Sequence, residues 1–211
     1  MSRALSVHSL LNKKYKTFQF SKPWKEAFGE PEQSGVWFIY GNSTNGKTSF
    51  LLQLCKELTH FGKVACLNLE EGDSKTFRDA VELVNFTRAE QKNIIFPLET
   101  IEELEARLLK HKSPKFVVID SIQYTGWNIK KFLVFKSKFP NKLLIIVSQA
   151  DGKKPLGRTA ASVRYDADLK IWVEGFRAFS QGRYIGENGG EFDIWKEKAL
   201  KHWGSIIQNQ D

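Results

Sequence analysis

Short apolar runs separated by amphipathic stretches dominate this chain. Residues 36–40 (Val-Trp-Phe-Ile-Tyr) have the length and β-rich composition of a buried strand. Apolar positions at helical spacing follow over residues 49–58, and Gly62 is placed to end that helix. Residues 63–69 predict a second strand that delivers Glu70 and Glu71 at its C-terminal end. Asp73 is positioned to cap a helix running to Phe86, with Phe77, Val81, Leu83 and Val84 as its apolar positions. Residues 93–98 read as another short strand. Thr100 and Glu103 have capping-box spacing, which predicts a helix from Thr100 to His111. Residues 115–120 (Lys-Phe-Val-Val-Ile-Asp) look like a parallel strand buried on both faces and ending in an acid. A loop over 121–129 leads to a basic helix carrying Lys130, Lys131, Lys136 and Lys138, and then to a strand over 142–148. The polar, glycine-containing stretch 150–162 predicts a mobile binding loop. Strands are expected at 167–173, 176–185 and 191–195. The last two flank a tight turn at 187–190 and must therefore be antiparallel.

This alternation predicts an α/β fold. Its central sheet should be mainly parallel and flanked by helices, with an antiparallel C-terminal extension. The 211 residues fit one domain, expected over 35–211, preceded by a leader over 1–34. In the leader Arg3, Lys13, Lys14, Lys16, Lys22 and Lys25 precede the first acid, Glu26. Phe18, Phe20, Trp24 and Phe28 are interleaved with these bases, so the leader should pack on the core rather than trail from it. The formal charge of +8 favours polyanionic partners such as nucleic acid. No apolar run is long enough to span a membrane, and no signal peptide is visible. Cys55 and Cys66 lie in apolar patterns and read as buried free thiols of a cytoplasmic protein. The four histidines show no metal-ligand spacing.

The stretch 41–48 carries the chemistry. Gly41, Asn42, Ser43, Thr44, Asn45, Gly46, Lys47 and Thr48 fit G-x-x-x-x-G-K-[ST], the phosphate-binding P-loop, with a strand before it and a helix opening at Ser49. The first N–H groups of that helix lack intrahelical partners and sit at its positive end, so they suit phosphate oxygens. Lys47 supplies charge to the β and γ phosphates, and the Thr48 hydroxyl is a Mg²⁺ ligand. Asp120, at the end of its strand, is the expected second metal contact.

The assembled order resembles the RecA-like ATPases, in particular the RadA and DnaB-type branches, from about Phe20 to Trp195. The residues that carry the likeness are Phe28-Gly29-Glu30-Pro31, Leu69-Glu70-Glu71, Val118-Ile119-Asp120-Ser121-Ile122-Gln123, Ser148-Gln149 and Tyr165-Asp166-Ala167-Asp168. The resemblance implies a RecA-like core that binds ATP and Mg²⁺ and cuts the β–γ bond in DNA replication, recombination or repair, of a host, phage or mobile element. It assigns Glu70 as the general base, with Glu71 in reserve, and Gln149 as the γ-phosphate sensor. It places DNA-facing loops at 121–130 and 150–162. There Tyr124 and Trp127 can stack on bases, and Lys153, Lys154 and Arg158 can neutralise phosphates. Expected partners are nucleic acid, single-stranded DNA ahead of RNA, or a DNA-processing protein, with a homo-oligomer as a further possibility. Ser121 separates the chain from AAA-type ATPases, and two departures from the RecA-like pattern stand out: no separate accessory domain is evident, and the basic finger is missing. Ser121 occupies the position where AAA-type ATPases carry an acid, so the base must come from elsewhere. Gly186-Glu187-Asn188 stands where relatives often show Lys-Asn-Arg, so no basic finger is evident. That second departure leaves open a nucleotide-dependent switch for a protein partner. A small-molecule kinase fits less well, because the chain lacks an arginine-rich lid.

Overall fold

A computed structural model describes residues 4–207. Residues 1–3 and 208–211, and with them Arg3 and the outer ends of the two expected segments, lie outside the described residues. The central strands are β1 (Gly35–Gly41), β2 (Val64–Asn68), β3 (Ile94–Ile95), β4 (Phe116–Asp120), β5 (Leu143–Asp151) and β7 (Leu169–Glu174). They pair in parallel in the order β3-β2-β4-β5-β1-β7. Strands β8 (Arg177–Gly182) and β9 (Gly190–Asp193) continue the sheet antiparallel beyond β7. This is the mixed sheet that the sequence predicts.

Strands β1, β2 and β4 are buried on both faces and apolar until their last residues, because both sides of the sheet are covered there. The two-residue period of a strand then divides the core in two. Trp37 and Ile39 point into a layer with Phe18, Phe50, Cys66 and Val118. Val36, Phe38 and Tyr40 point into the opposite layer with Ile119, Phe132, Ile146 and Val163. Helices α3 (Lys47–Leu58) and α4 (Lys75–Val84) follow β1 and β2, while α6 (Ile101–Leu108) and α7 (Ile129–Lys138) precede β4 and β5. Helix α5 (Arg88–Gln91) and α6 both open with complete capping boxes, Thr87 with Glu90 and Thr100 with Glu103.

Several boundaries differ from the sequence reading. Ser74, not Asp73, caps α4, its hydroxyl accepting from the Phe77 N–H at 3.2 Å. Strand β3 is two residues rather than six, because Pro97 cannot donate to a ladder. Strand β8 stops at Gly182, not Ile185, because its partner β7 begins at Leu169, opposite Gly182. The expected mobile loop at 150–162 is instead a hairpin followed by a helix. Strand β5 runs on to Asp151, turns at Gly152, and pairs back with β6 (Lys154–Pro155). Helix α8 (Arg158–Asp166) then buries Ala160 and Val163 against the sheet. A C-terminal helix, α9 (Lys196–Ile207), had no counterpart in the sequence reading. Its Trp203 meets Trp172 and Phe179 edge-on.

The leader contributes helices α1 (Val7–Leu11) and α2 (Trp24–Phe28). Helix α1 buries nothing. From Thr17 onward the leader packs on the core through its aromatic side chains. Phe18 is completely buried, stacked on Phe20 at 4.8 Å and edge-on to Trp37 and Phe61. Trp24 and Phe28 pack on Phe192 of β9, so the leader ties the two ends of the chain together. Phe18→Ala should therefore lower the unfolding free energy by about 3–5 kcal/mol, the usual cost of deleting a buried aromatic ring. Leu11→Ala, at a side chain 79% exposed, should change it by less than about 0.5 kcal/mol. Urea unfolding of the two variants reads the difference; similar midpoints would mean that Phe18 contributes no more than a surface residue.

Candidate phosphate-binding site

The parallel strands end together, and the site lies in the crevice beyond their C-terminal ends. Strand β1 leads into the loop at Gly41, where any Cβ would overlap the Val173 carbonyl of the neighbouring β7. The loop closes at Gly46, left-handed at φ 94°, which starts α3. The side chains of Asn42, Thr44 and Asn45 between them are engaged with backbone groups. Asn42 Nδ2 donates to the Gly152 carbonyl at 3.1 Å. The Thr44 hydroxyl and Asn45 Nδ2 donate to the Ser43 carbonyl at 2.7 and 3.0 Å, and Asn45 Oδ1 accepts from the Gly175 N–H at 2.9 Å. That leaves backbone N–H groups at the start of α3 to face a ligand, the arrangement that binds phosphate.

Lys47 is buried, its Nζ 3.4 Å from the Gly41 carbonyl. A cleft of about 250 Å³ brings together Lys47, Thr48, Ser49, Glu70, Glu71 and Asp120 with the loop residues Asn42, Ser43, Thr44 and Gly46. The Asp120 carbonyl accepts from the backbone N–H groups of Leu69 and Glu70, so the ends of β2 and β4 are tied to each other beside the loop. Glu70 Oε1 accepts from Gln149 Nε2 at 3.1 Å, which joins the end of β5 to the same group. Glu71 is occupied differently: its Oε2 accepts from the hydroxyls of Thr76 at 2.8 Å and Ser74 at 3.3 Å. The sequence reading did not assign Gln123 a task. Its amide donates to the Ser148 hydroxyl at 2.8 Å and to the Leu156 carbonyl at 2.9 Å, and its carbonyl accepts from the Gln149 N–H at 3.3 Å, so it fixes the end of β5.

Asp120 is buried, and its Oδ1 has no hydrogen-bond partner. Burial raises its pKa from 3.8 to about 7; the charge of Lys47 opposes that rise, and Glu70 and Glu71 add to it. A buried carboxylate oxygen without a donor, in the same cleft as a threonine on the first turn of α3, is a donor set of the hard oxygen type that Mg²⁺ takes. Asp120 and Thr48 therefore fit that ion.

The residues expected to face nucleic acid separate into two groups. Tyr124, in a 3₁₀ turn (Ile122–Tyr124), is 54% exposed, and Lys153, Lys154 and Arg158 are exposed on the β5–β6 hairpin and at the start of α8. Lys153 Nζ lies 5.4 Å from the centre of the Trp172 ring. Trp127 is half-buried: its ring packs on Phe135 at 4.9 Å and Phe132 at 5.9 Å, and it lines a surface cleft together with Arg158.

Among solved structures, the chain is similar to the flagellar accessory protein FlaH from Methanocaldococcus jannaschii, with a TM-score of 0.59 at 13% identity over 81% of this chain and 92% of that one. It is also similar to a KaiC-like protein from the hyperthermophilic archaeon Pyrococcus horikoshii, with a TM-score of 0.60 at 16% identity over 84% and 91%. The fold is RecA-like. No protein-family model matches the chain, and no curated protein matches its sequence. In this RecA-like frame β5 lies between the P-loop strand β1 and the Asp120 strand β4, so Gln149 emerges between Gly41 and Asp120.

The Asp120 environment has a consequence for stability. The folded protein holds the Asp120 proton up to about pH 7, whereas the unfolded chain releases it near 3.8. Between those values the folded state binds more protons, so stability falls as pH rises through the window. The full effect is on the order of 4 kcal/mol. Asp120→Asn cannot ionise. Without Mg²⁺ and nucleotide, its stability relative to the native protein should rise by up to about 4 kcal/mol between pH 4 and pH 8. Denaturant titrations across that range check this, and parallel pH profiles for the two proteins would contradict the assigned ionisation.

Proposed function

We propose that this chain is a Mg²⁺-dependent ATPase that works with nucleic acid. The observation that carries the reading is the meeting of Lys47, Thr48, Asp120 and Glu70 in one cleft at the strand ends. Lys47 and the first N–H groups of α3 bind and orient the β and γ phosphates. Thr48 and Asp120 would hold Mg²⁺, which neutralises phosphate oxygens when bound. Glu70 is the group suited to orient a water and take its proton, because Glu71 is held by the hydroxyls of Ser74 and Thr76. Gln149, bonded to Glu70, is placed to report whether that position is in use.

The nucleic-acid part of the reading rests on Lys153, Lys154 and Arg158 and on their link to the site. Asn42 of the P-loop donates to Gly152, at the tip of the hairpin that carries both lysines. A change at the loop is thereby felt at the basic surface, which suits coupling between nucleotide state and partner affinity. Action in replication, recombination or repair is the setting we assign to it. One observation favours a nucleotide-dependent switch for a protein partner instead: the turn 186–190 carries no basic residue.

Lys47→Ala should abolish tight Mg·ATP binding, and Glu70→Gln should bind ATP but turn it over roughly a hundredfold more slowly. Isothermal titration and steady-state phosphate release measure both. A Glu70→Gln variant with full activity would remove Glu70 from the role of base, and ATP binding without turnover, with or without single-stranded DNA, would support the switch.

Replacing Lys153, Lys154 and Arg158 together with alanine should weaken single-stranded DNA binding. It should also flatten the dependence of log K on log salt by up to about 0.7 per lost phosphate contact. Binding curves at several salt concentrations, with a non-hydrolysable ATP analogue, give the slope. A variant with the native slope would place the nucleic-acid contact elsewhere on the molecule.

A further inference from the structure

The P-loop is not free-standing. Its far side rests on the turn between β7 and β8, Gly175–Phe176, which no sequence motif marks. Gly175 donates its N–H to Asn45 Oδ1 at 2.9 Å, and the Phe176 N–H donates to the Asn45 carbonyl at 3.1 Å. Both turn residues are left-handed, Gly175 at φ 54° and Phe176 at φ 59°. A left-handed backbone is uncommon for an aromatic residue, and the surroundings must hold it there. The Phe176 ring lies against Gly46, where a Cβ would stand 3.1 Å from the ring, and it lines the phosphate cleft.

The turn is in turn held by the C-terminal helix. The Phe176 carbonyl accepts from the N–H groups of Ile194 at 2.9 Å and Trp195 at 3.4 Å, which lead into α9. Lys198 Nζ lies 3.8 Å from the centre of the Trp195 ring and 4.7 Å from that of Phe176. The ring of His202 sits so close to Gly175 that any Cβ there would overlap it.

From this chain of contacts we infer that the Gly175–Phe176 turn is a positioning brace for the P-loop, acting through Asn45, and that α9 locks the brace. Asn45 thus serves the phosphate site by its backbone and the brace by its side chain. Without the brace, the loop's N–H groups are no longer pre-set toward one point, and ligand binding must also order them. The consequence for nucleotide rests on the ATPase reading above; the bracing itself does not.

The test uses the full chain and two readouts. In nucleotide-free protein, Asn45→Ala and Phe176→Ala should each speed amide hydrogen exchange in residues 42–48 about tenfold, with β4 unaffected. In the same variants KM for Mg·ATP should rise about tenfold, with a smaller fall in kcat. His202→Ala, which removes the α9 side chain packed on Gly175, should speed the same exchange by a smaller factor. Exchange at residues 42–48 that stays native in both Asn45→Ala and Phe176→Ala overturns the brace, even if nucleotide affinity falls. Native exchange at residues 42–48 in His202→Ala overturns the lock by α9. If the native protein binds no Mg·ATP but exchange responds as described, the brace stands and the ATPase reading falls.

Discussion

One buried carboxylate sets the terms for the rest of the site. Asp120 sits at the end of a strand covered on both faces, with one oxygen unpartnered and Lys47 as the cation that counters its burial. Burial disfavours its charged form, and a cation brought into the cleft would favour it. The structure around it serves that end. Strand β2 closes one flank and presents Glu70, β5 closes the other and presents Gln149, and β1 delivers the loop that carries Lys47 and Thr48.

The second organising feature is that the loop is gripped from two sides. Asn42 reaches the hairpin at Gly152, and Asn45 reaches the turn at Gly175. The two asparagines use side-chain amides, which can bond backbone groups of neighbouring strands without adding charge near phosphates. One grip leads to the exposed lysines of the β5–β6 hairpin, and the other leads to the C-terminal helix. The loop is therefore a junction between the two surfaces through which a partner could act on it.

Much of the fold was legible because its signals are local. A parallel strand buried on both faces has to be apolar throughout, and β1, β4 and β5 read that way. Capping boxes are short-range chemistry, so the start of α6 was visible at Thr100. Elements failed to show where their stability comes from contacts distant in sequence. Helix α8 has only Ala160 and Val163 buried, too few to mark a periodic face, and it holds because the sheet is there to receive them. Trp127 is aromatic and next to glycine, and only the structure shows that one side of its ring rests on Phe132 and Phe135.

What the sequence determined by itself is the phosphate-binding loop, its flanking strand and helix, the acid at the end of β4 and the mixed direction of the sheet. Each follows from residue type, spacing or turn length within a few positions of the chain. The sequence already put Glu70 ahead of Glu71, and the tertiary structure adds that Glu70 is the carboxylate that meets Gln149. The hydroxyls of Ser74 and Thr76 engage Glu71 instead. Only the tertiary structure decided the task of Asn45. Nothing within the loop distinguishes its side chain from those of Asn42 or Thr44, and its partner lies 130 residues away, on a turn whose shape depends on the helix packed behind it.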